Sequence, residues 1–370
     1  MIASIIKKHE NYRLSSLNLI ASENRISADA LNALASDLAG RYGDKWYGGS
    51  LHANEIFLEV ERLAKKLFHA KYAFITPISG NICDLAVLFS FTKCGDKVAG
   101  IPKEEGGYPF GYEKFEREFI SLPARNYEIK VKEALDVIEK EKPLLTLLGA
   151  SVFPFPHPVK ELKKAREYGT LAYDASHVLG LIAGGKFQQP LKEGADVMIG
   201  STHKTLPGPQ GGIVVTNSEE KAESLEKMLC FSFEEGIGLV DNPHPNRIAA
   251  LGIVLEEMLF NGKKYASQVI KNAKSLASRL YENNIPVKFA QKGFTESHQI
   301  LLDIKDSQSF CRMLEKQNIF IDISGRIGVA EVTHIGMKEG EMEEIADLIK
   351  DAYEGKNVKE RVKKLVKEFY

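Results

Sequence analysis

Residues 170–204 read TLAYDASHVLGLIAGGKFQQPLKEGADVMIGSTHK, and this stretch decides the fold. Two apolar runs in it, TLAYD and DVMIGS, have the length and composition of buried β-strands. Ligands of an open α/β sheet bind where its strands end, so the residues that follow each run are candidates for chemistry. Asp174 closes the first run, and Lys204 comes shortly after the second.

The sequence around this stretch alternates between helical and strand patterns. Strand patterns occur at KYAFIT, DKVAG, LLTLLG and GGIVVT, and helical patterns at NEIFLEVERLAKKLF, from Ser79, near 130–141 and near 159–168. Such alternation predicts an α/β fold with a mostly parallel sheet flanked by helices.

The end of the chain has a different pattern. After Asn246 come two long helical stretches, the strand patterns PVKFA, QILLDI, IFIDI and IGVAEV, and a helix near 308–317. We therefore expect an N-terminal arm (1–50), a large α/β domain (51–245) and a smaller α+β domain preceded by long helix (246–370).

Composition limits the classes of function. The 370 residues carry a net charge of −1 with no concentration of basic residues, so we expect neither nucleic acid nor a membrane surface as partner. No apolar segment approaches the roughly eighteen residues of a membrane span. The cysteines (Cys83, Cys94, Cys230 and Cys311) are far apart, which predicts neither a metal site nor a disulfide framework and favours the cytoplasm.

A third polar strand end suggests what the ligand is. Ser79, Gly80 and Asn81 follow the run ITP at a predicted helix N-terminus, where free backbone N–H groups suit a phosphate, although an ordinary N-cap explains them as well. An enzyme that uses pyridoxal phosphate needs such a phosphate cradle, an amine for a Schiff base and an acid that keeps the pyridine nitrogen protonated. Lys204 and Asp174 are suitable candidates for the last two roles.

Several blocks carry a family resemblance. LNLIASEN, KWYGG, the SGN loop, YDASHVLGLIAGG, STHKTLPGPQGG and SGRIGVAEVT occur in the order found in serine hydroxymethyltransferases, and the chain resembles that family over nearly its whole length. The resemblance implies the aspartate aminotransferase-like fold (fold type I), with a sheet of the seven-stranded type. It also implies covalently bound pyridoxal 5'-phosphate, an amino acid substrate and a reduced pterin as co-substrate.

The resemblance further implies roles for individual residues. Lys204 would form the Schiff base, Asp174 would bind the pyridine nitrogen, and His177 would lie near the phenolic oxygen. The residues implied to contact the cofactor are Tyr42, Ser79, Gly80, Asn81, Tyr108, Ser151, Asp174, His177, Thr202, His203 and Lys204. Arg326 would bind the substrate carboxylate, a role that suits a bidentate guanidinium, with support from Ser22 and Tyr47. Tyr42 and Tyr47 would reach into the site of a partner subunit, which predicts a homodimer.

The chain departs from the family pattern in parts that serve the pterin and the phosphate. Tyr108 stands at the family's stacking histidine, and Asp44 is the only residue left as a candidate to replace its catalytic glutamate, although an ordinary turn aspartate explains it as well. Gln210 replaces an arginine, and GLVDNPHPN around Asp241 and Asn242 replaces a glycine-rich crossing loop. A loop that contacts folate in the family is missing before Arg326.

Three hypotheses follow from these matches and departures. The first is a serine hydroxymethyltransferase-like enzyme that interconverts serine and glycine. The second is an aldolase that cleaves threonine or other β-hydroxy amino acids without a pterin, and the third is a pyridoxal phosphate-binding protein without turnover. His177, Tyr108, His203 and Asp44 are all candidates for the catalytic proton acceptor.

Overall fold

The computed structural model describes residues 1–232 and 236–370. The chain divides into two compact units, one formed by residues 26–263 and the other by residues 1–25 together with 264–370. We call them the large unit and the small unit. In the described part of the chain, no helix combines the length and apolar composition needed to cross a membrane.

The helices and strands are numbered in chain order. The α-helices are α1 (Ile2–Leu14), α2 (Ala28–Leu34), α3 (Leu51–Phe68), α4 (Gly80–Phe91), α5 (Val131–Glu141), α6 (Leu179–Ala183), α7 (Pro190–Glu193), α8 (Glu219–Leu229), α9 (Pro245–Glu282), α10 (Ser307–Lys316), α11 (Ala330–His334), α12 (Glu339–Tyr353) and α13 (Lys359–Lys367). The strands are β1 (Leu17–Asn18), β2 (Tyr72–Phe74), β3 (Lys97–Gly100), β4 (Glu118–Ser121), β5 (Ala124–Arg125), β6 (Glu128–Ile129), β7 (Leu145–Leu148), β8 (Thr170–Asp174), β9 (Val197–Ser201), β10 (Gly212–Thr216), β11 (Phe231–Ser232), β12 (Gly236–Ile237), β13 (Gln299–Leu301), β14 (Ile319–Phe320) and β15 (Arg326–Gly328).

The large unit is built on a seven-stranded sheet in the order β2-β10-β9-β8-β7-β3-β4. β10 is antiparallel to both of its neighbours, and the other pairings are parallel. Every residue of β7, β8, β9 and β10 is buried, which explains why these strands read as continuous apolar runs. The α/β class with a mostly parallel sheet is confirmed.

Helix α4 lies on this sheet and supplies part of the large unit's core. Its Ala86, Val87 and Leu88 are buried in one cluster with residues of β3, β7, β8, β9 and β10. The helix begins where the side chain of Ser79 accepts a hydrogen bond from the N–H of Ile82 at 3.2 Å, as a helix N-cap does.

The small unit contains two short strand pairs. β1 pairs in parallel with β14, and β13 pairs in antiparallel fashion with β15. β15 ends at Gly328, where the predicted strand IGVAEV gives way to α11. The predicted strand PVKFA forms only an isolated bridge between Val287 and Leu302.

Candidate active site

The carboxyl ends of β8 and β9 bring the acid and the lysine of the opening stretch to one edge of the sheet. β8 and β9 are parallel neighbours, with Asp174 paired in register with Ile199. Asp174 is the last residue of β8, and Lys204 lies in the turn just after β9 ends at Ser201. The structure therefore places both side chains where ligands of this fold class bind.

Asp174 is buried and held in a fixed orientation. Its side chain is 8% exposed, and Oδ1 accepts a hydrogen bond from the N–H of Ser176 at 2.8 Å. Gly149, just after the adjacent strand β7, has a φ of +143°, and a Cβ added there would lie 2.6 Å from the carbonyl oxygen of Asp174. Only glycine fits this close approach without displacing Asp174.

Thr205 ties the lysine turn to the loop after Asp174. Its hydroxyl donates to the carbonyl oxygen of His177 at 2.9 Å and accepts from the N–H of Gly180 at 3.0 Å. Thr205 is 0% exposed, so both hydrogen bonds are shielded from water. The backbone that carries Lys204 is thereby held against the loop that carries His177.

Thr202 closes the glycine- and proline-rich loop that follows. Its hydroxyl donates to the carbonyl oxygen of Pro209 at 2.6 Å, and its backbone bonds with Gly208 and Gly211. The hydroxyl thus stabilises the conformation of the loop. A direct contact of Thr202 with a cofactor stays a prediction. Next to it, burial and then the charge of Lys204 lower the pKa of His203 to about 4.

The N-terminus of α4 lies close to the same strand ends. A Cβ added to Gly80 would lie 2.2 Å from Oγ of Ser201, so the helix backbone there approaches the end of β9 very closely. Asn81 is exposed at the first turn, and the hydroxyl of Tyr108 donates to its Oδ1 at 3.3 Å. Tyr108 therefore contacts this helix terminus and is not an isolated loop residue.

Ser151 and His177 follow the ends of β7 and β8. The N–H of Ser151 donates to the carbonyl oxygen of Gly106 at 2.7 Å, which ties this segment to the loop that leads to Tyr108. His177 is 4% exposed, and its carbonyl oxygen accepts the hydrogen bond from Thr205. Both residues lie at the edge predicted for them.

Tyr42, Asp44 and Tyr47 form a separate turn in the large unit. Tyr42 and Tyr47 are stacked with ring centroids 4.4 Å apart, and Tyr42 is 48% exposed. Oδ1 of Asp44 accepts from the N–H of Trp46 at 2.8 Å, which is the geometry of an ordinary turn aspartate. Their predicted roles in a partner's site and in catalysis stay predictions.

Ser22 and Arg326 lie in the small unit. Gly328 of β15 donates its N–H to Leu19, and a Cβ added to Gly328 would lie 2.3 Å from Cα of Ala21, so β15 packs tightly beside Ser22. Nε of Arg326 donates to Oδ2 of Asp322 at 2.7 Å. The strand that carries Arg326 thus packs against the segment that carries Ser22.

Two buried ionisable residues near the large-unit site were missed by the sequence interpretation. Arg247 is 5% exposed, and a Cβ added to Gly211 would lie 2.6 Å from its Nη1. This guanidinium lies against Gly211, so a buried positive charge lies beside the residue that follows Gln210. Asp84 of α4 is 4% exposed. A lone carboxylate in the apolar run ICDLAVLF was the only signal of it in the sequence.

These residues suit pyridoxal phosphate. The N-terminus of α4 offers backbone N–H groups to a phosphate, and the absence of a side chain at Gly80 lets this helix end pack closely against Ser201 at the end of β9. Asp174 offers an oriented carboxylate to a ring nitrogen, and Lys204 offers an amine for an imine. All three groups lie in the large unit.

Comparison with known proteins settles the family. A family model described as serine hydroxymethyltransferase matches residues 1–349. The chain belongs to the serine hydroxymethyltransferase family. Curated relatives named serine hydroxymethyltransferase are 39% identical in Methanobrevibacter smithii over 99% of this chain and 93% of the relative, and 40% identical in Methanocaldococcus jannaschii over 98% and 91%. A relative with that name in Pyrococcus furiosus is 38% identical over 98% of this chain and 92% of its own length.

A solved structure supports the family fold. The crystal structure of an L-threonine transaldolase from Pseudomonas fluorescens in its internal aldimine state is similar, with a TM-score of 0.90 and 28% sequence identity. The match covers 100% of this chain and 91% of that one. The predicted fold is confirmed, as is the enzyme class: this member of the serine hydroxymethyltransferase family is a pyridoxal phosphate-dependent transferase or aldolase-type enzyme.

Proposed function

We propose that this enzyme makes or breaks the Cα–Cβ bond of β-hydroxy-α-amino acids, interconverting serine and glycine with a reduced pterin as one-carbon acceptor. The observation that carries the proposal is the placement of Asp174 and Lys204 at neighbouring strand ends, whose following loops Thr205 joins. The names of the curated relatives support the choice of reaction. Lys204 is the proposed covalent anchor of the cofactor.

Pyridoxal phosphate supplies an electron sink for the electron pair left when the Cα–Cβ bond breaks. Asp174 supports this chemistry by holding the ring nitrogen protonated, and Ser176 holds the Asp174 carboxylate in place. Ser79, Gly80 and Asn81 bind the phosphate at the N-terminus of α4.

The protonation states of Tyr108 and His203 narrow the choice of the catalytic proton acceptor. Burial, reinforced by the negative charge of Asp174, raises the pKa of Tyr108, so its phenol stays protonated at neutral pH and acts as a donor. The pKa of His203 is lowered to about 4, so its imidazole is neutral at pH 7 and is a weak base. Of the four candidates, His203 is therefore poorly suited to accept the substrate hydroxyl proton, which leaves His177 and Asp44 as the proposed acceptors.

Arg326 is the proposed ligand of the substrate carboxylate, with Ser22 beside it. Asp322 forms an ion pair with Nε of Arg326 at 2.7 Å, which orients the plane of the guanidinium and offsets part of its charge, so the substrate carboxylate would bind beside this ion pair. In this proposal the enzyme is a homodimer, and the exposed Tyr42 with the half-buried Tyr47 stacked on it reaches the site of the partner subunit.

One observation favours a second candidate, a pterin-independent aldolase. Asp44, the only substitute for the family's catalytic glutamate, is engaged in capping its own turn. The similar solved structure is described as an L-threonine transaldolase. Retro-aldol cleavage of threonine-like substrates without a pterin would use the same proposed roles of Lys204, Asp174 and Arg326.

A spectroscopic experiment tests the shared premise. Wild-type protein, Lys204→Ala and Lys186→Ala are incubated with pyridoxal phosphate and desalted, and their visible absorbance is measured. Lys186 is exposed, so its variant controls for loss of a lysine in general. We expect a retained cofactor band in wild type and Lys186→Ala that is lost in Lys204→Ala. An identical band in all three would contradict the assignment of Lys204.

A substrate experiment separates the two reactions. Glycine and aldehyde release is measured from serine, threonine and phenylserine, each with and without a reduced pterin. Dependence of serine cleavage on the pterin is the expected result. Fast aldehyde release from phenylserine that is indifferent to the pterin, with no serine turnover, would replace the hydroxymethyltransferase proposal by the aldolase.

A further inference from the structure

Asp84 is a buried carboxyl group that the proposed reaction does not use. It lies in the second turn of α4, is 4% exposed, and its Oδ1 has no hydrogen-bond partner among the described residues. Burying an ionised carboxylate without donors costs several kcal/mol. The position therefore calls for a specific explanation.

The helix face that carries Asp84 is directed at the candidate site. Gly80 lies four residues earlier, so the two residues share one face of α4. At Gly80 that face meets Oγ of Ser201 and Oγ of Ser176, which belong to the end of β9 and the loop after β8. α4 also packs on β8, β9 and β10. Asp84 thus lies one turn deeper, behind the strand ends of Asp174 and Lys204.

The charges around Asp84 favour its neutral form. Burial and then the negative charge of Asp174 raise the pKa of Asp84 well above its ordinary value, while Lys204 acts in the opposite direction. In the described part of the chain, Asp84 also acts on the pKa of Tyr108, Tyr112 and its helix neighbour Cys83. Burial raises the pKa of each of these three, so they remain uncharged and do not offset the repulsion from Asp174.

We propose that Asp84 is a positioning residue of the cofactor site: a neutral carboxylic acid that donates its proton toward Asp174 and keeps Asp174 as the single anionic partner of the cofactor ring. A carboxyl oxygen that meets no donor is satisfied when it carries the proton itself and donates to an acceptor. Pairs of carboxyl groups in different environments commonly divide in this way into one acid and one carboxylate. This inference rests on the proposed function, because it assigns Asp84 to the same cofactor.

Infrared spectroscopy of the cofactor-free protein reads the protonation of Asp84 directly. The difference spectrum of wild type minus Asp84→Asn at pH 7 should contain the C=O stretching band of a protonated carboxyl group. Adding pyridoxal phosphate should shift the frequency of that band. A carboxylate band in place of it would mean that Asp84 is ionised against Lys204, and the inference would be overturned.

Cofactor affinity tests the positioning role with a conservative variant. Asparagine keeps the shape and a donor, so the dissociation constant of pyridoxal phosphate in Asp84→Asn should stay within about threefold of wild type. Alanine removes the donor, so Asp84→Ala should weaken binding roughly tenfold. Equal affinities of the Asn and Ala variants would overturn the role, provided that thermal unfolding shows both to be folded.

The two proposals fail in different ways. If wild type retains the cofactor through Lys204 but gives no protonated-carboxyl band for Asp84, the proposed function stands and this inference is wrong. If wild type does not retain pyridoxal phosphate at all, the proposed function is wrong, and the assignment of Asp84 to the cofactor is overturned with it.

Discussion

At the scale of single residues, the geometry of the site depends on positions that have no side chain. Gly149 and Gly80 each bring the backbone to a distance at which a Cβ would collide with the strand end of the site. These glycines allow the backbone at Gly149 to approach Asp174 and the backbone at Gly80 to approach Ser201. They therefore affect the position of the site residues without contacting a ligand themselves.

Gly149→Ala should therefore disturb the cofactor site. The added methyl group would need a strained φ and would press on Asp174, whose carbonyl oxygen lies 2.6 Å from the Cβ position. We expect the dissociation constant of pyridoxal phosphate to rise about tenfold or more. Fluorescence or absorbance titration of the cofactor-free variant measures it.

Gly185→Ala is the matched control for this variant. Gly185 also has a positive φ, +64°, but a Cβ added there meets nothing within 4 Å. It should lose about 1 kcal/mol of stability from the backbone alone and bind the cofactor as wild type does. Equal loss of affinity in both variants would show that backbone strain, and not pressure on Asp174, is responsible.

Which residues could be predicted depends on whether local sequence or packing determines their position. Asp174 and Lys204 were predictable because strand ends are visible in the sequence and parallel neighbours bring their ends together. Asp84 and Arg247 were not, because their burial depends on how α4 packs on the sheet and on the approach of Gly211 to a residue far along the chain.

At the scale of elements, the loop after β8 and the loop after β9 are held together by the two hydrogen bonds of Thr205. Thr205→Val removes a donor and an acceptor that are both buried, so it should cost about 1–3 kcal/mol of stability. It should also raise the dissociation constant of pyridoxal phosphate, since the Lys204 backbone is no longer tied to His177. Chemical denaturation and cofactor titration measure the two effects separately.

Thr216→Val offers a control of the same chemistry at the opposite edge of the sheet, where Thr216 pairs with Val197, the first residue of β9. Thr216 is also 0% exposed, and its hydroxyl donates to Asp196 and accepts from the N–H of Ser218. It should show a comparable loss of stability with unchanged cofactor affinity. Weaker cofactor binding in both variants would show that destabilisation of the large unit as a whole, and not loss of the Thr205 link, is responsible.

The elements themselves were predicted best where they are long or wholly buried. Six of the seven strands of the large sheet were predicted, and the missed one is β4, whose residues are exposed or half-buried and so form no apolar run. The helix predicted near 159–168 is a 3-10 helix at Lys163–Glu167, with the N–H of Tyr168 bonded three residues back to Ala165. α9 is one helix of 38 residues and not two stretches. The helix continues through Gly262. A glycine inside a helical pattern usually suggests that the helix ends, but here it has a packing reason, because it lies against Gly184.

At the scale of the whole molecule, a buried histidine should make the fold sensitive to acid. His157 is 4% exposed and stacked on Phe153 at 4.0 Å, and burial lowers its pKa to about 3. Its ordinary pKa is 6.5, so between pH 6.5 and about 3 the histidine is protonated in the unfolded chain and neutral in the folded one. The stability this group contributes is present above pH 6.5 and is lost as pH falls toward 3, by about 1.4 kcal/mol per pH unit.

His157→Phe keeps the stacked ring and removes the titration. The slope of unfolding free energy against pH between about 6.5 and 3 should become shallower by roughly one proton. Phe153→Leu, which damages the same stack without changing a titratable group, should lower stability by a similar amount at every pH. An unchanged slope in His157→Phe would exclude His157 as a source of the acid sensitivity.

The pairing of β2 with β10 has a consequence for the order of assembly. β9 and β10 are joined by the short lysine loop and can pair early, because closing a short loop loses little chain entropy. β2, which leads directly into Ser79, must find β10 from far along the chain, and such distant pairings form slowly. We therefore expect the phosphate end of the site to form late in folding. The cofactor should then bind only after the sheet is complete, and it should not nucleate folding.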